Sequence, residues 1–138
     1  MKHIEEVKIG NEFILTKEVD QYRPIYYAGA SGDFNPIHID PVFARSVGME
    51  RNVLHGLCSM AWVASTITSW AGDVRALKKL NVRFARPVYP EDVITIKGIV
   101  KEIQGNRVSL AIEAVNQRGE KVISHGSGEV ELPSLKKA

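Results

Sequence analysis

"HGLCSMAWVASTITSWAG", residues 55–72, is the stretch on which the fold turns. From Asn52 to Gly72 the chain carries no formal charge. Leu57, Met60, Ala61, Ala64 and Ile67 recur at helical spacing, and the other faces hold Ala, Val, Ser, Thr and Trp. The spacing predicts a helix from about Leu57 to Trp70. A helix with no charged face is buried on most sides, and its small residues let another backbone approach closely. A membrane span needs about 20 predominantly apolar residues. Asn52, His55, Ser59, Ser65, Thr66, Thr68 and Ser69 interrupt this one, so no membrane span is expected.

Beyond about residue 75 the period changes to two. Leu80, Val82 and Phe84 alternate with Asn81, Arg83 and Ala85. Ile94, Ile96 and Val100 oppose Thr95, Lys97 and Lys101, and Val108, Leu110, Ile112 and Ala114 oppose Ser109, Ala111 and Glu113. Gly105-Asn106 is a two-residue hairpin signal, and "QRGE" (117–120) is a second turn. A last strand runs from about Val122 to Leu132; Gly126 and Gly128 in it suit a strand that bends or lets another backbone come near.

Before the uncharged segment the pattern is mostly helical. Gly10 to Leu15 reads as a short strand, and a helix opens at Asp20 or Gln21 and reaches about Ser31. Pro24 falls in its first turn, where a missing N–H is tolerated, and Gly32 is a stop signal. In "DPVFARSVG", Asp40 is an N-cap, Pro41 the first helical residue and Gly48 the residue past the end. One buried helix followed by a run of antiparallel strands predicts an α+β fold, its sheet curled around the helix. An open sheet leaves edge strands, so edge pairing in a dimer is the expected way to cover them.

The length of 138 residues fits one domain spanning 1–138. The net charge of +2 is too small, and the basic residues too scattered, to argue for nucleic acid. The exceptions are Lys78-Lys79 and the Lys136-Lys137 tail. The single cysteine, Cys58, excludes an intramolecular disulfide and reads as a small buried hydrophobe. No positively charged segment followed by an apolar run opens the chain, so a cytoplasmic protein is expected.

The chemistry concentrates in "SGDFNPIH", residues 31–38. Pro36 pushes Asn35 out of the helical region, which predicts that Asp33 and His38 share a loop between two helices. A carboxylate and an imidazole facing one water suit general acid–base work, with Asn35 placed to orient either. The same residues also suit a turn with a structural hydrogen bond. His55 precedes the uncharged helix as a cap, a packing residue or part of a site. The Gly56 N–H would be free at that helix's N-terminus, where negative charge is favoured, so it is a candidate oxyanion donor. Asp33, His38, Asp40 and His55 lack the spacing of a metal motif, Asp40 is better explained as a cap, and His125 reads as structural.

The stretch "YYAGASGDFNPIHIDPVFARSVGMERNVLHGLCSM" resembles the hydratase motif of the MaoC-like dehydratases, which include the (R)-specific enoyl-CoA hydratases. The pattern A-x-x-S/T-G-D-x-N-P-I-H-x-D is met by Ala28, Ser31, Gly32, Asp33, Asn35, Pro36, Ile37, His38 and Asp40. Ala44, Gly48, His55 and Gly56 continue it, with Leu57 where Met is common. "NVRFARPVYPEDV" (81–93) is similar to the strand that follows the helix in that family.

The resemblance implies a hot dog fold, with the sheet wrapped around the 57–70 helix. It implies reversible addition of water to a trans-2-enoyl thioester, giving the (3R)-3-hydroxyacyl thioester. Asp33 and His38 would be the catalytic pair, Gly56 N–H the carbonyl donor, and Asn35 and Ser59 secondary residues of the pocket. No cofactor or metal is implied, because the CoA or acyl-carrier-protein thioester is itself the substrate. The expected assembly is a homodimer, or a heterodimer with a related hot dog chain. The competing readings are a thioester hydrolase on the same fold and a non-catalytic acyl-thioester binding subunit.

Overall fold

Five strands, β1 (Glu12–Glu18), β2 (Leu77–Phe84), β3 (Val93–Gln104), β4 (Arg107–Val115) and β5 (Lys121–Glu131), form one antiparallel sheet ordered β1-β3-β4-β5-β2. The helices are α1 (Arg23–Ser31), α2 (Pro36–Ile39), α3 (Pro41–Ser46) and α4 (Gly56–Ala71). This computed structural model describes residues 1–136, so Lys137 of the basic tail and Ala138 lie outside the described residues.

The period-two pattern sets the core. In the register, Val100 stands opposite Leu110 and Leu110 opposite Gly128, while Gly98 faces Ile112 and Ile112 faces Gly126. Each of these residues is buried, and they form rows across the sheet. Val63, Ile67 and Ala71 of α4, all fully buried, join the same core cluster. Glycines on β5 permit two close approaches, one of helix to sheet and one of strand to strand. A β-carbon on Gly128 would stand 3.2 Å from Ile67 Cδ1, and one on Gly126 would stand 2.7 Å from the Ile112 carbonyl oxygen. The β4–β5 register shifts between Ile112 and Ala114, where Ser124 and His125 oppose one residue, and His125 has φ 49°. The strand bends there, as a bulge requires.

No helix is long and apolar enough to cross a membrane among the described residues. The central helix and all five strands fall where their patterns place them, with ends moved by one to three residues. α1 begins at Arg23, later than expected, because Asp20 closes the preceding turn: its carboxylate accepts the Tyr22 N–H at 2.8 Å and its carbonyl the Arg23 N–H at 3.0 Å. β2 is not beside β3 as a simple run of hairpins would have it. It crosses to the far side of β5, and β1 and β2 are the sheet's two edges. Alternation identifies which face of a strand is buried but not which strand lies beside it.

Candidate active site

His38 lies on a helix, where an open loop was expected. The side-chain oxygen of Asn35 accepts the Ile37 N–H at 3.2 Å, and Pro36 occupies the first helical position, so four residues wind into α2. An N-cap acceptor and a proline at the first position both favour a helix start. Asp33 stays on the connecting loop. Its N–H donates to Ser31 Oγ at 3.2 Å, and its Oδ1 accepts the Asn35 N–H at 3.2 Å. Asn35 therefore works on both partners, through its N–H on Asp33 and through its side chain on the helix that carries His38.

Asp33 Oδ2 stands 3.7 Å from His38 Nε2. That is too long for a direct hydrogen bond, but both groups can face one water. The other ring nitrogen is committed: His38 Nδ1 lies 2.8 Å from the Val53 carbonyl oxygen, to which its N–H donates. In the neutral ring this fixes the tautomer and leaves the Nε2 lone pair toward Asp33. Val53 N–H donates to the Ile37 carbonyl at 2.9 Å, and buried Asn52 donates from Nδ2 to the His38 carbonyl at 3.0 Å. The segment 52–53 thus clamps α2 from behind. The His38 side chain is 11% exposed and that of Asp33 is 55% exposed, so the pair joins a buried imidazole to an accessible carboxylate.

His55 occupies the N-cap position of α4 but makes no capping bond. Its Nε2–H donates to the Asp33 carbonyl at 2.9 Å instead. Its ring stacks on His38 with centroids 3.7 Å apart and planes 19° apart, and Tyr27 lies against it at 4.7 Å. Its Nδ1 is buried and has no partner among the described residues.

At the start of α4 the first hydrogen bonds come from Cys58 N–H, at 3.0 Å, and Ser59 N–H, at 3.5 Å, both to the His55 carbonyl. The N–H groups of Gly56 and Leu57 find no acceptor among the described residues, as expected for a first turn. Gly56 lies in a cavity of about 350 Å³ lined also by His38, Ser59, Leu54, Phe84 and Val88. The helix dipole and a free N–H make this a place for a polarised carbonyl oxygen. Asp33 and Asn35 are outside that lining, while Gly56, Ser59 and His38 are inside it. Cys58 is buried beside them, and desolvation pushes its thiol pKa up, which fits a packing role.

Asp33, His38 and His55 each bring a possible ligand atom within 4.8 Å of the others. The two imidazoles lie face to face, so their in-plane lone pairs run side by side and do not converge on one ion. His38 Nδ1 and His55 Nε2 are also already committed to carbonyl oxygens. Asp40, the fourth residue considered, caps α3 through the Val42 and Phe43 N–H groups.

The sequence reading missed Asn52, the Val53 carbonyl, Tyr27 and Phe84. Asn52 and Val53 act through backbone contacts formed only after folding, and neither has a periodic signature. Phe84 followed the strand pattern and was taken as one of its apolar residues; it is half exposed and leans over Gly56.

Residues 6–122 match the model of the MaoC like domain family. The peroxisomal multifunctional enzyme type 2 of Mus musculus is 41% identical over 97 residues, which is 69% of this chain and 13% of that enzyme. The chain thus spans a small part of the curated relatives it matches first, 21% for the peroxisomal enoyl-CoA hydratase 2 of Arabidopsis thaliana. A solved structure of R-hydratase PhaJ1 from Pseudomonas aeruginosa, in its unliganded form, is 26% identical and superposes with a TM-score of 0.86, covering 97% of this chain and 90% of that one. With a family model over most of its length and this sheet wrapped on α4, the chain belongs to the MaoC-like dehydratases and has the hot dog fold.

Proposed function

We propose that this protein reversibly adds water to a trans-2-enoyl thioester and gives the (3R)-3-hydroxyacyl thioester. The observation that carries the reading is the meeting of three groups: the Asp33 carboxylate, His38 Nε2 at 3.7 Å from it, and the free Gly56 N–H in the cavity His38 also lines. The names of its relatives support the same reaction class, among them the 3-hydroxybutyryl-CoA dehydratase of Methylorubrum extorquens, 25% identical over 137 residues.

The thioester carbonyl accepts the Gly56 N–H at the N-terminus of α4. As water adds to the β-carbon, negative charge moves onto that oxygen, and a fixed donor stabilises the developing enolate more than the ground state. Asp33 and His38 hold the attacking water and pass protons. One proton leaves the water and one arrives at the α-carbon, so water is consumed and nothing is oxidised or reduced. No cofactor takes part. The two groups act as one unit, and the order of their proton transfers belongs to the pair. Ser59 lines the cavity beside the acyl chain, and Asn35 keeps Asp33 and α2 in place. We further propose that the protein works as a dimer, its own chain or a related hot dog chain supplying the partner.

The test is the loss of enoyl-thioester absorbance on adding the protein to crotonyl-CoA, with chiral analysis of the product. The expected result is the 3R alcohol, abolished in Asp33→Asn. Release of free thiol would assign a hydrolase instead. Binding without turnover across short-chain, long-chain and carrier-protein thioesters would assign a non-catalytic subunit.

A further inference from the structure

We infer that His55 is a positioning residue for the Asp33–His38 pair: its Nε2–H holds the Asp33 carbonyl while its ring is the platform on which the His38 ring rests. The inference rests on the proposed hydratase reading and extends it to a residue that touches neither water nor substrate.

Three observations meet at this ring. Its Nε2–H donates to the Asp33 carbonyl at 2.9 Å. Its face stacks on His38 at 3.7 Å, with Tyr27 against it at 4.7 Å. Its Nδ1 is buried with no partner among the described residues, and the residue is 3% exposed. An unpaired buried polar atom destabilises a fold. Packing alone is better served at this position by phenylalanine, which stacks as well and leaves no ring nitrogen unpaired. A histidine here makes sense through the one bond phenylalanine cannot form, the bond to Asp33.

That bond completes the placement of Asp33. Its carbonyl is held by His55, its Oδ1 by the Asn35 N–H, and its Oδ2 faces His38. His38 is fixed in turn by Val53 through Nδ1 and by the His55 ring across its face. Because His55 directly precedes Gly56, the residue that aligns the acid–base pair also begins the helix that presents the free N–H. One side chain therefore ties the two halves of the site together.

The test compares His55→Phe, which keeps the stack and loses the donor, with His55→Gln, which keeps a donor and loses the stack. Melting temperature, kcat and KM on crotonyl-CoA, and a crystal structure of His55→Phe are measured. The stability order expected is Phe equal to or above wild type, with Gln below both. The activity order expected is the reverse for the variants: Phe loses about 10- to 100-fold in kcat, the range for a misplaced catalytic group. Gln retains more activity, and KM changes little in either. In the His55→Phe crystal the Asp33 carbonyl should move and the Asp33–His38 separation should open beyond 3.7 Å. Activity that follows stability, or near-wild-type kcat in His55→Phe, would overturn the inference. An unmoved Asp33 would overturn it independently of turnover. A wild-type protein with no turnover on any thioester would refute the hydratase reading, and the crystal comparison would still decide the positioning role.

Discussion

The ring of Phe84 lies over Gly56: a β-carbon built on that glycine would stand 3.0 Å from Phe84 Cζ and 3.1 Å from Cε2. Gly56 therefore has no side chain for two reasons that act at one point. The cavity needs the N–H open, and the aromatic ring on β2 takes the space in front of it. Phe84 is half exposed, so its ring can swing away from an added methyl group. A glycine-to-alanine change in a helix is worth up to about 1 kcal/mol in favour of alanine. Gly56→Ala should consequently hold or raise the melting temperature while kcat falls by about tenfold or more. Alanine keeps the N–H, so its methyl group acts by obstructing the approach to that donor, and the ceiling is the complete loss of one oxyanion donor, about 10²–10³-fold. Unchanged turnover would mean that no substrate carbonyl approaches through the space the methyl group fills.

Asp33 and His38 are held by different means, which makes their variants separable. Asp33→Asn keeps the acceptor for the Asn35 N–H and the backbone carbonyl that His55 holds. His38→Gln disturbs a buried residue that donates to Val53. Each should lower kcat by at least ~10²-fold, the lower range for a positioned acid–base group. Asp33→Asn should melt within about 1 kcal/mol of wild type, since surface changes seldom exceed that, and His38→Gln should be less stable. Steady-state kinetics beside thermal unfolding checks both. Near-normal rates in either variant would reject its assigned part.

The fold was legible because its signals are local. The uncharged run at 52–72 marks α4, although Leu57, Ala61, Ser65 and Ser69 form an exposed face of that helix, and near-alternation at 94–100 and 108–114 gives each strand one buried face. Neighbours in the sheet are not local. Nothing in Leu77–Phe84 says that its partner is β5 and not the next strand, because a strand's pattern is silent about what lies beside it. The site divides the same way. Asp33 and His38 stood out as chemistry-bearing residues in one short motif, and Gly56 stood out at the start of the uncharged helix. His55 was readable as a cap, a packing residue or part of a site, but not as a partner of Asp33. Its bond to Asp33 spans 22 positions, and its stack on His38 exists only once α2 has wound and 52–53 has closed behind it. Even α2 was lost to a sound rule: proline does extend Asn35, and that extension is the N-cap of the helix that follows.

Ile67 seats the helix on the sheet at Gly128. It is fully buried, and its Cδ1 comes within 3.2 Å of where a β-carbon on Gly128 would stand. Glycine on β5 lets the helix settle, and Ile67 fills the space that results. Ile67→Ala should destabilise the protein by about 2–5 kcal/mol, the transfer loss of a large aliphatic side chain plus the cavity it leaves. Urea unfolding should show a lower midpoint with an unchanged slope. A loss below about 1 kcal/mol, at the level of a surface change, would mean that the helix is not seated on Gly128 as described.

Glu5 joins the two ends of the described chain, and its titration gives an acid-sensitive contact far from the site. Its carboxylate accepts hydrogen bonds from the Ser134 hydroxyl and, at 3.2 Å, from the Leu135 N–H, while Ile4 N–H donates to the Pro133 carbonyl at 2.9 Å. The Ser134 hydroxyl is the main cause that holds the Glu5 carboxyl low, followed by backbone N–H bonds, and its pKa falls from 4.5 to about 2. A carboxylate depressed in the folded state contributes stability that is fully present above its unfolded value and is lost as pH falls through its folded value. The contact should thus be complete above about pH 5 and disappear progressively toward pH 2, the window set by those two values. Glu5 is exposed to solvent, so global unfolding should scarcely register the change. The Leu135 amide resonance should report it directly, with a titration midpoint near 2 in the intact protein and no step in Glu5→Gln. A midpoint near 4.5 would mean that Glu5 does not hold the Ser134–Leu135 segment.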